Sequence, residues 1–218
     1  MENTVIYGEK SDKIYIYVPG QDGNKEEAER FYLVAKKYGY QVLGIDLPQN
    51  GADFFAAISF IKEIYNFAKE NWQHISLRAV SIGAWFSLMA LKDEKPENCL
   101  FSSPLLDMNR MICSLMAASR VTEEQLEKER IIKTDFGQTL NWDYLVFARE
   151  NPVQACGKTA VFYASGDELI PKREIDDFAN NDFCRLTVYD GGEHWIHKEN
   201  DLRIMEEWEE NEIENFTD

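Results

Sequence analysis

Apolar positions along this chain alternate between two periods, short near-continuous runs and longer stretches in which they recur every three or four residues. Ile14-Tyr15-Ile16-Tyr17-Val18 is a β-branched and aromatic run that predicts a strand, and residues 3 to 7 predict a shorter one. The segment from Pro19 to Gly23 closes the second strand in a loop. Asn24, with Glu27 three residues later, predicts a capped helix whose buried face holds Ala28, Phe31, Tyr32, Ala35 and Tyr38 and which Gly39 ends. Gln41 to Ile45 predicts a strand. A helix from about Asp53 to Glu70 then carries the stripe Phe54, Ile58, Ile61, Tyr65 and Ala68. His74 to Val80 reads as a buried strand. The helix that follows, from Ile82 through Leu91, is nearly all apolar and so belongs inside the molecule. Asn98 to Ser102 is the next strand.

Residues 104 to about 153 break this rhythm. They predict roughly three helical pieces with no strand between them: Asp107 to Ala117, one capped by Thr122 with Gln125, and Asn141 to Arg149. Met108, Met111, Ile112, Leu115 and Met116 give the first piece a soft apolar face. Such a block sits outside a sheet of alternating units, as an insertion. The alternation resumes with a strand at Thr159 to Ala164, a turn at Ser165 to Glu168 and a helix from about Pro171 to Asn180. Cys184 to Tyr189 is the last strand. A closing helix from about Asn200 to Glu214 is expected to bury Leu202, Met205 and Trp208 and to leave its glutamates in solvent. This order predicts one domain over 1–218, α/β in class, with a mostly parallel sheet and helices on both faces. In such sheets, sites form at the carboxyl ends of the strands.

With 218 residues, 44% of them hydrophobic and 28% charged, the chain is long enough for one sizeable core and ordinary for a globular protein. Its net charge of −16 argues against nucleic acid, because neutralising phosphates needs a Lys/Arg surface that is missing here. The excess acid reads as solubility. The start, Met1-Glu-Asn-Thr-Val5, is polar, and no run approaches the ~18 apolar residues of a membrane span. A cytoplasmic protein is therefore expected. Cys99, Cys113, Cys156 and Cys184 are widely spaced with no C-x-x-C pair, which suits reduced thiols better than a disulfide frame or zinc site. No metal cluster, no Gly-rich phosphate loop and no G-x-G-x-x-G is present, so no cofactor is expected.

Ser81 stands where a strand meets a helix with no loop between. Such a turn pushes the side chain clear of its neighbours and aims the helix's unpaired N–H groups at whatever the hydroxyl attacks. Its crowding demands small residues two before and two after, here Ala79 and Gly83. A Ser hydroxyl needs a base, and the base needs a third group to hold its tautomer. His74 begins the strand that ends at Ser81, roughly 20 Å away at the wrong edge of the sheet. His197 suits a surface or capping role. His194, delivered past a strand end by Gly191-Gly192, is the candidate base. Asp167, just past a strand in a Gly-containing turn, is the candidate orienting acid. Asp107 suits a helix cap, Asp46 ends a strand further out, and Glu168 is an adjacent alternative. Oxyanion donors are expected from the N–H of Ile82 and, in the loop after Val18, that of Gln21.

With these pieces in place, the chain resembles the α/β-hydrolase family over nearly its whole length, and small bacterial carboxylesterase-like members in particular. The matching segments are Pro19-Gly-Gln-Asp-Gly23, Ala79-Val-Ser-Ile-Gly83, Gly166-Asp-Glu-Leu-Ile-Pro171 and Gly191-Gly-Glu-His-Trp195. The resemblance implies a three-layer α/β-hydrolase fold with an eight-stranded-type sheet and a small helical cap over 104–153. It also implies a triad of Ser81, Asp167 and His194, and a serine hydrolase acting on a small ester substrate without a cofactor. Two departures stand out. Ala79 replaces the first elbow glycine. Pro19 stands where many members carry His, and Asp22 adds a carboxylate that would repel an oxyanion unless it faces solvent. A reading from a different class is a catalytically silent member of the fold that binds a ligand or partner under the cap.

Overall fold

The structure is a computed structural model that describes residues 3–48 and 54–217. In chain order the strands are β1 (Thr4–Tyr7), β2 (Lys13–Val18), β3 (Gln41–Ile45), β4 (His74–Val80), β5 (Asn98–Ser102), β6 (Ile131–Lys133), β7 (Thr139–Asn141), β8 (Lys158–Ala164) and β9 (Cys184–Tyr189). The helices are α1 (Ala28–Ala35), α2 (Phe54–Asn71), α3 (Ile82–Ala90), α4 (Met108–Ser119), α5 (Glu123–Glu129), α6 (Trp142–Glu150), α7 (Lys172–Ala179) and α8 (Glu199–Thr217). The main sheet runs β1-β3-β2-β4-β5-β8-β9. Within it β1 is antiparallel to β3, and the remaining pairs are parallel. Among the described residues the sheet therefore has seven strands, one fewer than the eight-stranded type implied by the resemblance.

Successive side chains of a strand point to opposite faces, and that period sorts the core into two layers. Ile14, Ile16 and Val18 join Leu77, Ala79, Phe101 and Val161 on the face covered by α2 and α3. Tyr15, Tyr17, Val42, Leu100, Ala160 and Phe162 face the other way, against Phe31 and Val34 of α1 and Trp208 and Ile213 of α8. Helix α3 is buried from Gly83 through Ala90, as its apolar composition requires.

Several boundaries differ from expectation. Asn24 does cap, its side chain accepting from Glu26 N, but Lys25–Glu27 is a 3₁₀ turn and the α-helix begins at Ala28. The start expected for α2, Asp53, lies outside the described residues. Its stripe contains Ala57 and Ile64, with Ile58 at the margin. Between β5 and β8 the three helical pieces are present, yet β6 and β7 pair as an antiparallel hairpin where no strand was expected. Among the described residues that hairpin joins no other strand. At three residues a side, with Ile131 and Lys133 exposed, it is too short and too exposed for a periodic signal to single it out.

The largest revision concerns α8. Its glutamates do not all face solvent: Glu209 and Glu212 are buried. Arg78 of β4 lies inside the same layer, and its Nε donates to Glu209 Oε1 at 2.7 Å with both side chains under 4% exposed. Arg78 Nη1 also donates to Ala79 O (2.9 Å) and Ser102 Oγ (3.0 Å). The guanidinium carbon sits 5.9 Å from the ring centres of Tyr17, Phe31 and Trp208. A buried pair of this kind is dangerous to break and nearly neutral to replace, because the loss lies in stranding one charge. Glu209→Leu should destabilise the chain by about 3–5 kcal/mol in urea unfolding, while Arg78→Met/Glu209→Leu should return to within about 1 kcal/mol of the native chain or above it. Equal losses in the single and double variants would contradict this.

Candidate active site

The site is assembled at the carboxyl ends of β4, β8 and β9. Ser81 caps α3 with φ 49° and ψ −121°, a backbone conformation that a residue with a Cβ seldom adopts. Its backbone is held on three sides. Ser81 N donates to Ser102 O, and Ser81 O accepts from Ala84 N and Leu105 N, all at 3.1 Å. Gly83 lets α3 approach the end of β2: a Cβ there would stand 2.3 Å from Pro19 O and 2.9 Å from Val18 O. Ala79 is fully buried.

After β8 the chain turns sharply, with Asp167 N donating to Ala164 O at 3.0 Å. Asp167 Oδ1 accepts from Leu169 N and Ile170 N, both at 2.9 Å, which fixes its buried carboxylate. Past β9, Gly191 and Gly192 take φ 115° and 67°, and a Cβ on Gly166 would meet Gly192 O at 2.2 Å. Ser165 ties the two loops together, its Oγ accepting from Gly191 N (2.9 Å) and donating to Asp190 Oδ1 (3.2 Å). The histidine loop is thereby laid against the acid turn.

The result is one hydrogen-bonded chain. His194 Nδ1 lies 2.7 Å from Asp167 Oδ2, and His194 Nε2 lies 2.8 Å from Ser81 Oγ. A carboxylate only accepts, so Nδ1 carries the ring proton and Nε2 accepts from the Ser81 hydroxyl. The acid is fully enclosed while the imidazole remains 21% exposed.

The other residues weighed in the sequence lie elsewhere. His74, at the start of β4, pairs with Glu97 at 2.7 Å. His197 is exposed, stacked on Trp195, with Nδ1 2.8 Å from Trp195 O. Asp107 caps α4 by accepting from Arg110 N, Asp46 pairs with Lys25 at 2.6 Å, and Glu168 is exposed. The loop Pro19–Gly23 passes beside the serine, since a Cβ on Gly20 would stand 3.5 Å from Ser81 Cβ. Gln21 belongs to this loop and Ile82 opens α3. Pro19 is buried and Asp22 is exposed, so the added carboxylate faces solvent.

Glu174 of α7 is a structural residue that the sequence did not mark. Its Oε1 accepts from Leu106 N (2.7 Å) and Asp107 N (2.6 Å), and its Oε2 from Arg110 Nε (2.8 Å). It fastens the beginning of the insertion beside the acid turn. Further along, Tyr144 of α6 stacks on Phe54 of α2 at 4.1 Å and lies 5.5 Å from Trp85 of α3. Among the described residues no cluster of three or more His, Cys, Asp and Glu side chains could hold a metal, and no helix is long and apolar enough to cross a membrane.

No protein-family model matches this chain, and no curated protein matches it either. Solved structures do. Est1E from Butyrivibrio proteoclasticus superposes with a TM-score of 0.79 at 16% identity, covering 98% of this chain and 93% of its own. The chain has the α/β-hydrolase fold. Mouse alpha/beta hydrolase domain-containing protein 10 is similar at TM-score 0.73 and 13% identity over 97% of this chain and 93% of that one. An esterase from Exiguobacterium antarcticum is similar at 0.63 and 13% over 99% and 95%. Within this α/β-hydrolase fold, the elbow at Ser81 holds a non-glycine residue at positive φ. Ser81→Gly should therefore be more stable than Ser81→Ala by about 1 kcal/mol in chemical denaturation, because only glycine relaxes the positive φ. Gly83→Ala should lower stability by about 2 kcal/mol or more through its clash with two carbonyl oxygens. Parity between the two Ser81 variants would show that no strain is stored there.

Proposed function

We propose that this chain is a serine hydrolase that cleaves a small carboxylic ester through an acyl-enzyme on Ser81. The observation that carries this reading is the continuous hydrogen-bonded path from the Ser81 hydroxyl through His194 to the enclosed Asp167. His194 Nε2 takes the proton as Ser81 Oγ attacks the ester carbonyl, then returns it to the departing alcohol. Asp167 stabilises the imidazolium and keeps Nε2 aimed at the serine. Water, deprotonated by the same imidazole, attacks the acyl-enzyme and frees Ser81. In this reading the N–H groups of Ile82 and Gln21 receive the oxyanion, and the solvent-facing Asp22 does not oppose the charge. The insertion over 104–153 would cover the substrate as a helical cap.

The similar folds add support of a coarser kind: one of those proteins is named an esterase, and another, from Paleococcus ferrophilus, a monoacylglycerol lipase. Thioester or amide substrates would use the same parts.

The test is turnover of nitrophenyl esters of increasing acyl length, with fluorophosphonate labelling of the folded protein. Native chain should label at Ser81 and hydrolyse the shorter esters. Ser81→Ala should lose labelling and at least about 10⁴ in kcat, and His194→Ala should lose a comparable factor. Turnover surviving Ser81→Ala would refute the mechanism. A native chain that neither labels nor turns over, yet is stabilised by a ligand, would instead make it a binding protein of this fold.

A further inference from the structure

Two cysteines that stand 57 positions apart meet outside the site. Cys99 Sγ and Cys156 Sγ lie 3.7 Å apart. Cys99 is on β5 and fully buried, whereas Cys156, on the link leading into β8, is only partly buried. Their meeting is fixed by backbone. A Cβ on Gly157 would stand 2.4 Å from Pro96 O, so the chain just after one cysteine crosses hard against the chain just before the other. Thr159 then pairs with Cys99 in the β5–β8 register, and its hydroxyl donates to Gly157 O at 3.0 Å. Neither sulfur can drift far from the other while the sheet is intact.

We propose that Cys99 and Cys156 form a reversible disulfide site oxidised by small peroxides, with Cys156 as the attacking sulfur and Cys99 as the resolving one. Access sets the order of events, since Cys156 keeps some exposure whereas Cys99 is enclosed. The contact between the thiols, and then burial, raise the pKa of Cys99 well above the usual thiol range, and the same contact lowers that of Cys156. In the first step the Cys156 thiolate attacks a peroxide oxygen. A sulfur–oxygen bond forms, the oxygen–oxygen bond breaks, and hydroxide leaves and is protonated to water, giving a sulfenic acid. In the second step Cys99 sulfur attacks Cys156 sulfur. A sulfur–sulfur bond forms, the sulfur–oxygen bond breaks, and the departing hydroxide takes the Cys99 proton as a second water. Two thiols are oxidised by two electrons and one peroxide is reduced. A dithiol reductant reverses the bond by exchange.

The other cysteines are poor competitors. Burial pushes the Cys184 thiol up to about 11 against the opposing pull of Arg185, so little thiolate is present there. Cys113 lies on α4 and its sulfur contacts Asn109. The bond would close a single covalent loop around the whole insertion, whose first residue follows β5 and whose last precedes Cys156. Oxidation would thus hold the insertion's return strand to the sheet, a property that does not depend on whether Ser81 is a nucleophile.

The experiment treats the intact native chain with hydrogen peroxide, alkylates the remaining thiols and digests with trypsin. Two of the four cysteines should become protected. The peptide spanning residues 93–110 should appear joined to that spanning 150–158, about 2 Da below the summed thiol masses, and dithiothreitol should separate them. The double variant Cys113→Ser/Cys184→Ser should give the same linked pair. Cys156→Ser, folded as judged by circular dichroism, should leave Cys99 unmodified. A link between any other pair, a linked dimer, or Cys156 carried to sulfonic acid with Cys99 still free would overturn the proposal.

Discussion

The constraint on which the structure turns is the backbone of Ser81, held at a positive φ between a strand and a helix. Left to itself such a residue would relax, at a gain of order 1–3 kcal/mol. It stays because its N–H and C=O are committed to Ser102, Ala84 and Leu105, and because α3 is pressed onto the carbonyls of Val18 and Pro19 through Gly83. Apart from the contact to Ala84 within α3, these come from β2 and β5, which flank β4, or from the residues just after them, so the order of the sheet itself clamps the turn. A different order would leave the elbow with neither neighbour.

Support also reaches the elbow from below. Ser102 serves two masters: its carbonyl holds Ser81 N, and its hydroxyl receives Arg78. Arg78 is in turn held by Glu209 of the last helix. The strand that presents Ser81 is thus fixed by the apolar α3 layer on one face and by a charged, hydrogen-bonded node on the other. Burying two charges gains little net stability when the pair is whole. The fitting explanation is geometric: a guanidinium with several fixed donors sets the relative heights of β4 and β5, which an apolar pair could only approximate.

The layered fold was legible in the sequence because its inner strands, β2 to β5 and β8, are largely buried and most of its helices are amphipathic. β3, β5 and β9 fall on the residues expected from the apolar runs alone. The meeting of Ser81, Asp167 and His194 was legible because each lies within a few residues of a strand's carboxyl end, and the glycines around them mark turns. What escaped was set by contacts distant in sequence. Glu209 and Glu212 look like solvated helix residues until Arg78 and Arg185 arrive from the sheet. Glu174 looks like any first-turn carboxylate until the start of the insertion supplies its three donors. Cys99 and Cys156 are brought together by strand register, which spacing does not reveal. The hairpin of β6 and β7 escaped for the opposite reason, since it has too few residues to show a period.

One further dependence follows from where Glu174 sits. Asp167 is locked by the N–H groups of Leu169 and Ile170, and Ile170 O is held by the Tyr163 hydroxyl at 2.8 Å. Pro171 then caps α7, whose first turn carries Glu174. Between the acid and the anchor of the insertion there is therefore no free rotation, only a short turn bonded at both ends. Arg110, one turn into α4, completes the grip on the same carboxylate. Displacing the base of the insertion would pull on Glu174, and through that turn on the carboxylate hydrogen-bonded to His194. The base of the insertion is thus tied through one short turn to the Asp167–His194 hydrogen bond, and removing the Arg110 guanidinium would loosen that tie without touching the site.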